Sequence, residues 1–386
     1  MNGKSGFRER LDRYRWYLRS ESDLYEPLCA CVLEGCAEGL QEEVFLHVFA
    51  PAITAFMEWV ISAAEQKGIR RLYFLARDGW LWMRAAECVQ KRRHSGDPLS
   101  HADTTSDPDE AMELRYLCVS RKTLYAGTED LRSYLRQEGL FEDVPYGIVD
   151  SGWIGTTKQS LEKLIGKTID GFYFGMYEVP SGTDPKTYHC FYLRPYRDIE
   201  RKAHFSICLF EAVNSSPEGM TVGYERRDKI IPVCMDENPN GAWMRRFSVM
   251  LERYLSHYEE KSSPWKLRRG GLKKRIRALD RSLSLLMGRP TREEAKAFGR
   301  MLFDEGVEGT HLRTLALRWD LQEIENQRLF RRISNKLHGR EAFRESGWQE
   351  GSIVLSTEES DQKRALRDER IYQRARQVAK AIRRMV

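Results

Sequence analysis

The stretch 146-YGIVDSGWIGTTKQSLEKLI-165 decides how this chain folds. Tyr146–Asp150 is an apolar run that closes on a carboxylate. From Thr156 onward, Leu161, Leu164 and Ile165 fall at helical spacing. The residues between, Ser151-Gly152-Trp153-Ile154-Gly155, read as a small-residue turn. Strand, tight turn and helix in succession form the unit of a helix-covered parallel sheet. Gly152 and Gly155 permit a sharp turn and close backbone approach. Thr156 and Thr157 stand where the first N–H groups of the helix have no partner, and such a helix start attracts anions. The plainer alternative is that the glycines shape the corner and Thr156 only caps the helix. Trp153 points toward a ligand, because an indole at a loop tip has to cover something. Packing on a neighbouring helix would also explain it.

The same pattern recurs on both sides. "IRRLYFLARDG" (69–79) holds a strand at Leu72–Leu75, and "WLWMRAAECVQKRR" follows it as a helix. "LRYLCVSRKTL" (114–124) is a second strand, with "EDLRSYLRQEGL" as its helix. "IDGFYFGMY" (169–177) is a fourth strand. These runs are apolar without clean alternation, as in strands covered on both faces. Further on, "HCFYLRP" reads as a strand and "TVGYERRDKIIPVCMD" as a hairpin about Arg226–Lys229. The polar run 94–110 reads as an exposed loop. Residues 7–66 read as helical, with a long helix over 40–68 bent at Pro51 and closed by Gly68. From 241 the chain is basic and helical, and Thr291 with Glu294 forms a capping box. The expected fold class is α/β: a doubly wound, mostly parallel sheet over 69–240. Helical regions flank it at 1–68 and 241–386.

Composition narrows the function. The chain is 41% hydrophobic and 31% charged, which suits a soluble globular protein. A formal net charge of +6 over 386 residues falls short of a dedicated nucleic-acid binder. The apolar run 44–64 is interrupted by His47, Pro51 and Glu58, so a buried helix is expected there and not a transmembrane segment. The first residues are charged and lack an apolar core, so no secretory signal is read and a cytoplasmic location is expected. The eight cysteines are then expected to be reduced and mostly buried.

In an open parallel sheet, ligands bind outside the carboxyl ends of the strands. Three such ends carry polar groups here: Arg77-Asp78-Gly79, Ser120-Arg121-Lys122 and Asp150-Ser151-Gly152. Their convergence on one crevice is the central expectation. Arg77 suits a phosphate, and the alternative is an Arg77–Asp78 ion pair beside a turn glycine. Asp78 and Asp150 are the candidate catalytic groups and candidate Mg2+ ligands. Ser120, Arg121, Ser151, Gly152, Trp153, Gly155, Thr156 and Thr157 complete the candidate ligand-binding set. Glu211, before the polar loop at 214–219, is an outlying candidate. One of Trp80 and Trp82 is expected in the core and the other at the pocket. Walker, Rossmann, zinc-protease and Ser/His/Asp patterns are missing.

"GIRRLYFLARDGWLW", "RYLCVSRKTL", "YGIVDSGWIGTTKQSLEKLI", "IDGFYFGMY" and "SGWQEGSI" (346–353) together resemble a region attached to haloacid-dehalogenase (HAD)-type predicted hydrolases. Such proteins occur in bacterial loci for surface-polysaccharide assembly. The resemblance covers roughly 40–240. It implies a place in that pathway more than a particular reaction, and together with the polar strand ends the expectation is a cytosolic, enzyme-like protein that binds a phosphorylated or nucleotide-linked sugar, with Mg2+ as the candidate cofactor and a glycosyltransferase as a candidate partner. A HAD phosphatase carries D-x-D at its first strand end. Here those positions are Ala76 and Asp78, so the nucleophile's place is vacant and phosphohydrolase chemistry is the alternative reading. "GIVDSGWIGTTKQSL" also resembles the phosphate loop of phosphoribosyltransferases, although one of the usual two acidic residues is Ser151. The third alternative is a non-catalytic scaffold for glycosyltransferases. It is motivated by residues 361–386, with nine Lys/Arg against three Asp/Glu. Such charge runs are usually solvated faces.

Overall fold

The computed structural model describes residues 2–94, 111–260, 271–304, 311–340 and 343–383. Of the loop expected at 94–110, only His94 is among them, as the last residue of a helix. In chain order the elements begin with α1 (Asn2–Leu18), α2 (Ser22–Leu33), α3 (Leu40–Val44), a π-helical turn (Phe45–Phe49) and α4 (Ala50–Glu65). The sheet-building segment follows: β1 (Arg71–Leu75), α5 (Gly79–His94), β2 (Glu113–Leu117), α6 (Arg121–Ala126), α7 (Glu129–Gln137), β3 (Tyr146–Trp153), α8 (Thr156–Ile165), β4 (Asp170–Met176) and β5 (Tyr188–Leu193). Next come α9 (Ile199–Lys202), α10 (Ile207–Val213), the antiparallel hairpin β6 (Thr221–Arg226) and β7 (Ile230–Cys234), α11 (Gly241–Glu259), α12 (Gly271–Gly288) and α13 (Arg292–Gly299). A second hairpin, β8 (Leu302–Asp304) and β9 (Leu312–Thr314), precedes α14 (Leu321–Gln327), α15 (Leu329–Leu337), α16 (Gln349–Ser356) and α17 (Glu359–Ile382).

The chain divides into two compact units. The first comprises 1–38, 42–192 and 214–279, and the second 39–41, 193–213 and 280–386. The expected limits at 68/69 and 240/241 do not coincide with this division, because α1, α2, α4 and α11 belong to the unit that holds the sheet.

That sheet is parallel, in the order β2-β1-β3-β4-β5. One face carries Tyr73, Leu75, Leu117, Tyr146 and Ile148 against Leu124, Leu131, Leu135, Leu161 and Ile165 of α6, α7 and α8. The other is aromatic. Phe56 of α4 meets Trp82 of α5 and Phe174 of β4 edge-on, at 5.3 and 5.5 Å between centroids. Trp59 lies 5.8 Å from Phe191. Aromatic pairs of this kind contribute roughly 0.5–1.5 kcal/mol each beyond the area they bury. With both faces covered, the strands need no polar alternation, and that is the pattern the sequence carries.

Leu40–Glu65 is long and apolar enough to cross a membrane, but 94% of its window is buried inside the protein. At Pro51 the helix ladder changes. The proline has no N–H for the carbonyl of His47, and the turn before it widens, so that the Ala50 N–H reaches Phe45 O. Glu58, buried on α4, accepts from the Tyr258 hydroxyl at 2.7 Å and is paired with the buried Arg275 of α12.

Two expectations need correction. The third strand does not stop at Asp150 but runs on to Trp153. The helix read through "TREEAKAFGRMLFDEG" stops at Gly299, and Leu302–Asp304 is a strand. A Cβ at Gly299 would lie 2.7 Å from that of Ala316, so the chain turns where it makes its closest contact. The capping box at Thr291 is present with both bonds, at 3.1 and 2.8 Å. All eight cysteines are free, three of them buried and five half-buried.

Candidate functional site

Strand order reverses between β1 and β3. From β1 the chain builds outward to β2, then returns to place β3 on the other side of β1. Crossovers on either side of such a point leave a crevice above the carboxyl ends of its two central strands. The β1–β3 ladder ends at Phe74↔Val149, whereas β3 and β4 stay paired as far as Trp153↔Met176. Asp150–Trp153 therefore rises as a wall above the end of β1, where Arg77 and Asp78 make the turn into α5. All three polar strand ends lie at this one edge of the sheet.

Arg77 is half-buried, and among the described residues its guanidinium makes no hydrogen bond or ion pair. The Arg77–Asp78 ion pair, the alternative reading of this turn, does not form. Gly79 is accounted for by packing, since a Cβ there would lie 2.7 Å from that of Phe74. Trp82 is core. Trp80 is half-buried under the Arg84 guanidinium, 4.0 Å above its ring.

Gly152 and Gly155 are explained in the same way. Gly152 has φ +124°, and a Cβ would sit 1.8 Å from Gly175 O of β4. At Gly155, φ is +69° and a Cβ would sit 2.7 Å from the Tyr188 ring. Trp153 is not a loop tip. It is buried at the end of β3, 6.3 Å from the Tyr177 ring, so its indole serves packing. Ser151 is buried within the strand. Gly155, not Thr156, is the N-cap of α8, and it has no side-chain oxygen to offer the first N–H groups of the helix. Thr156 and Thr157 are half-buried at that opening.

Ser120 is committed to structure. Its hydroxyl accepts from Thr123 N–H at 3.2 Å, capping α6, and donates to Thr221 O of β6 at 2.7 Å. Arg121 and Lys122 are exposed on the first turn of α6. Glu211 belongs to α10 of the second unit and is half-buried there. His189 pairs with Asp170, the first residue of β4, and so lies at the amino edge of the sheet, opposite the crevice.

The residues that the sequence reading missed form a buried polar wall. Trp82 Nε1 donates to Asn214 Oδ1 at 3.0 Å. Asn238 Nδ2 donates to Ser215 Oγ and Ser216 O at 3.1 and 2.7 Å. This wall meets the strand ends at Tyr116, the partner of Phe74 across β1 and β2. Burial pushes the Tyr116 phenol up, as does Cys118. A hydrogen bond to Ser216 opposes the shift, and the charges of Glu218 and Asp78 add to it. Asp78 thus lies within electrostatic reach of Tyr116. Asp150 acts in the same way on Tyr173, its partner on β4, whose phenol is pushed up first by burial. Burial also pushes the Cys118 thiol up to about 12, away from the reactive thiolate form.

Among the described residues no group of three or more His, Cys, Asp or Glu is arranged around a common metal position. No protein-family model matches the chain, and no curated protein matches it in sequence.

Proposed function

We propose that the crevice between the carboxyl ends of β1 and β3 binds a phosphorylated or nucleotide-linked sugar, in a cytosolic enzyme-like protein of glycan assembly. The observation that carries this reading is the half-buried guanidinium of Arg77, unpaired among the described residues, at the point where strand order reverses. An arginine held there without a carboxylate is matched in charge and fork geometry to a phosphate. The uncapped N–H groups at the start of α8 add donors of the same sign. Asp78 and Asp150 contact sugar hydroxyls, or hold Mg2+ against the phosphates. The resemblance to HAD-associated polysaccharide-locus proteins supports the pathway and leaves the reaction open.

The test is calorimetry with phosphoribosyl pyrophosphate and a panel of nucleotide sugars, with and without Mg2+. Binding is expected to weaken about tenfold or more in Arg77→Ala, the loss that follows from one charged hydrogen bond. A folded Arg77→Ala/Asp150→Asn double variant that binds as the wild type does would sink the reading.

A further inference from the structure

Helix α15 is turned inside out. Its inward residue is Arg332, 4% exposed, whose guanidinium is paired with the fully buried Glu369 of α17 and lies 3.7 Å above the Tyr372 ring. Gln327 donates to the same carboxylate at 3.1 Å. Arg332, Asn335 and Lys336 line a polar cavity of about 920 Å3 in the second unit. The outward face is apolar. Phe330, Ile333 and Leu337 recur at helical spacing and are 85%, 41% and 80% exposed. Leu321, at the start of α14, is 82% exposed. A helix packed only by the interior of its own unit would face the other way.

The charge around this face is mainly positive, although one of its basic residues, Arg332, faces inward. From Asn326 to Arg340 there are five Lys or Arg and no Asp or Glu. Arg328 and Arg331 share Glu325, at 3.2 and 3.5 Å. Lys336 and Arg340 are exposed at the other end of the helix. The pattern recurs on α17, where Ile371, Val378 and Ile382 are exposed on a helix rich in arginine.

We propose that the outer face of α15 docks on an anionic lipid surface. Large exposed apolar side chains flanked by long cations at both ends of the helix match the acyl boundary with its phosphate layer above. A protein groove would need acidic residues to meet these cations, whereas an anionic bilayer presents phosphates at every point of the rim. The proposal is independent of the strand-end site.

The test is co-sedimentation of the full chain with vesicles of equal parts phosphatidylcholine and phosphatidylglycerol, and with vesicles of phosphatidylcholine alone. Phe330→Ser/Leu337→Ser is the variant, and both side chains touch mostly water. Binding to the anionic vesicles alone is expected, weakened by salt and reduced about tenfold or more in the variant. Circular dichroism is expected to show the same melting for both proteins. Equal binding by variant and wild type, or no binding to anionic vesicles, overturns the proposal. So does a wild-type dimer that the variant converts to monomer without any vesicle binding, because a second copy then covers the face. Unchanged vesicle binding in Arg77→Ala separates this result from the fate of the strand-end site.

Discussion

Replacing Gly152 with alanine is expected to cost far more than an ordinary glycine-to-alanine change. Two terms add. The backbone there has φ +124°, a region that side-chain-bearing residues rarely adopt, and occupying it costs roughly 1–3 kcal/mol. The new Cβ would lie 1.8 Å from Gly175 O, well inside the 3.0 Å that real Cβ contacts respect. The obstacle is backbone of β4 and not a flexible side chain, so the strands must part where Gly152 is paired with Gly175. Overpacking of this kind costs roughly 1–3 kcal/mol, giving roughly 2–6 kcal/mol in all. Gly166, at the other end of α8, is the control. It has φ +75° with nothing within 4 Å of the point where a methyl would stand, so only the backbone term applies, about 1–2 kcal/mol. Urea unfolding followed by tryptophan fluorescence compares the two variants. A Gly152→Ala midpoint no lower than that of Gly166→Ala would refute the assignment of this glycine to sheet packing.

Three further outcomes follow from named contacts. Glu58→Ala strands the buried Arg275 and Tyr258, and is expected to cost about 3 kcal/mol, the low end for a broken buried pair, since Arg275 keeps Glu21 at 3.3 Å; a melting temperature within a degree or so of wild type would contradict this. His47 is held neutral, its pKa pushed down to about 4 by burial, while the unfolded chain takes a proton near 6.5. Stability is therefore expected to fall as pH drops through that window, by roughly 3 kcal/mol in full. His47→Gln should flatten the profile, and an unchanged slope in the variant would count against it. Ser120→Ala loses the α6 cap and the bond to Thr221, and should cost roughly 1–2 kcal/mol. Ligand binding measured by calorimetry should stay as in wild type, and a selective loss of binding would return Ser120 to the site.

The strands were legible because each is a short apolar run bounded by Gly or by a polar cluster, and Leu72–Leu75 against Arg71–Leu75 is a typical margin. Their order was not legible. Whether β3 lands beside β1 or β2 depends on contacts between residues far apart in the chain. The extension of β3 was hidden because Ser151 and Gly152 carry turn propensity. Only the close backbone of Gly175 makes a strand there, and it also takes Trp153 out of the loop. The polar wall was missed because a buried Asn-Ser-Ser run has the composition of an exposed loop until its partners are known. Charge led toward 361–386, whereas α15 passed unread, because the facing of its apolar residues could be learned only from Arg332 and Glu369.

The hydrogen bonds that close the crevice span long stretches of chain. Trp82 waits for Asn214, and Ser120 waits for Thr221, separations of 132 and 101 residues. The chain leaves the sheet unit after Tyr192 and re-enters it at Asn214. Contacts of such separation carry the largest loop-closure entropy and form late. On a ribosome the five strands can pair before this wall exists. A fragment released before Asn238 would hold the sheet without this polar wall, so the strand-end edge is completed only after the chain has left the sheet unit and come back to it.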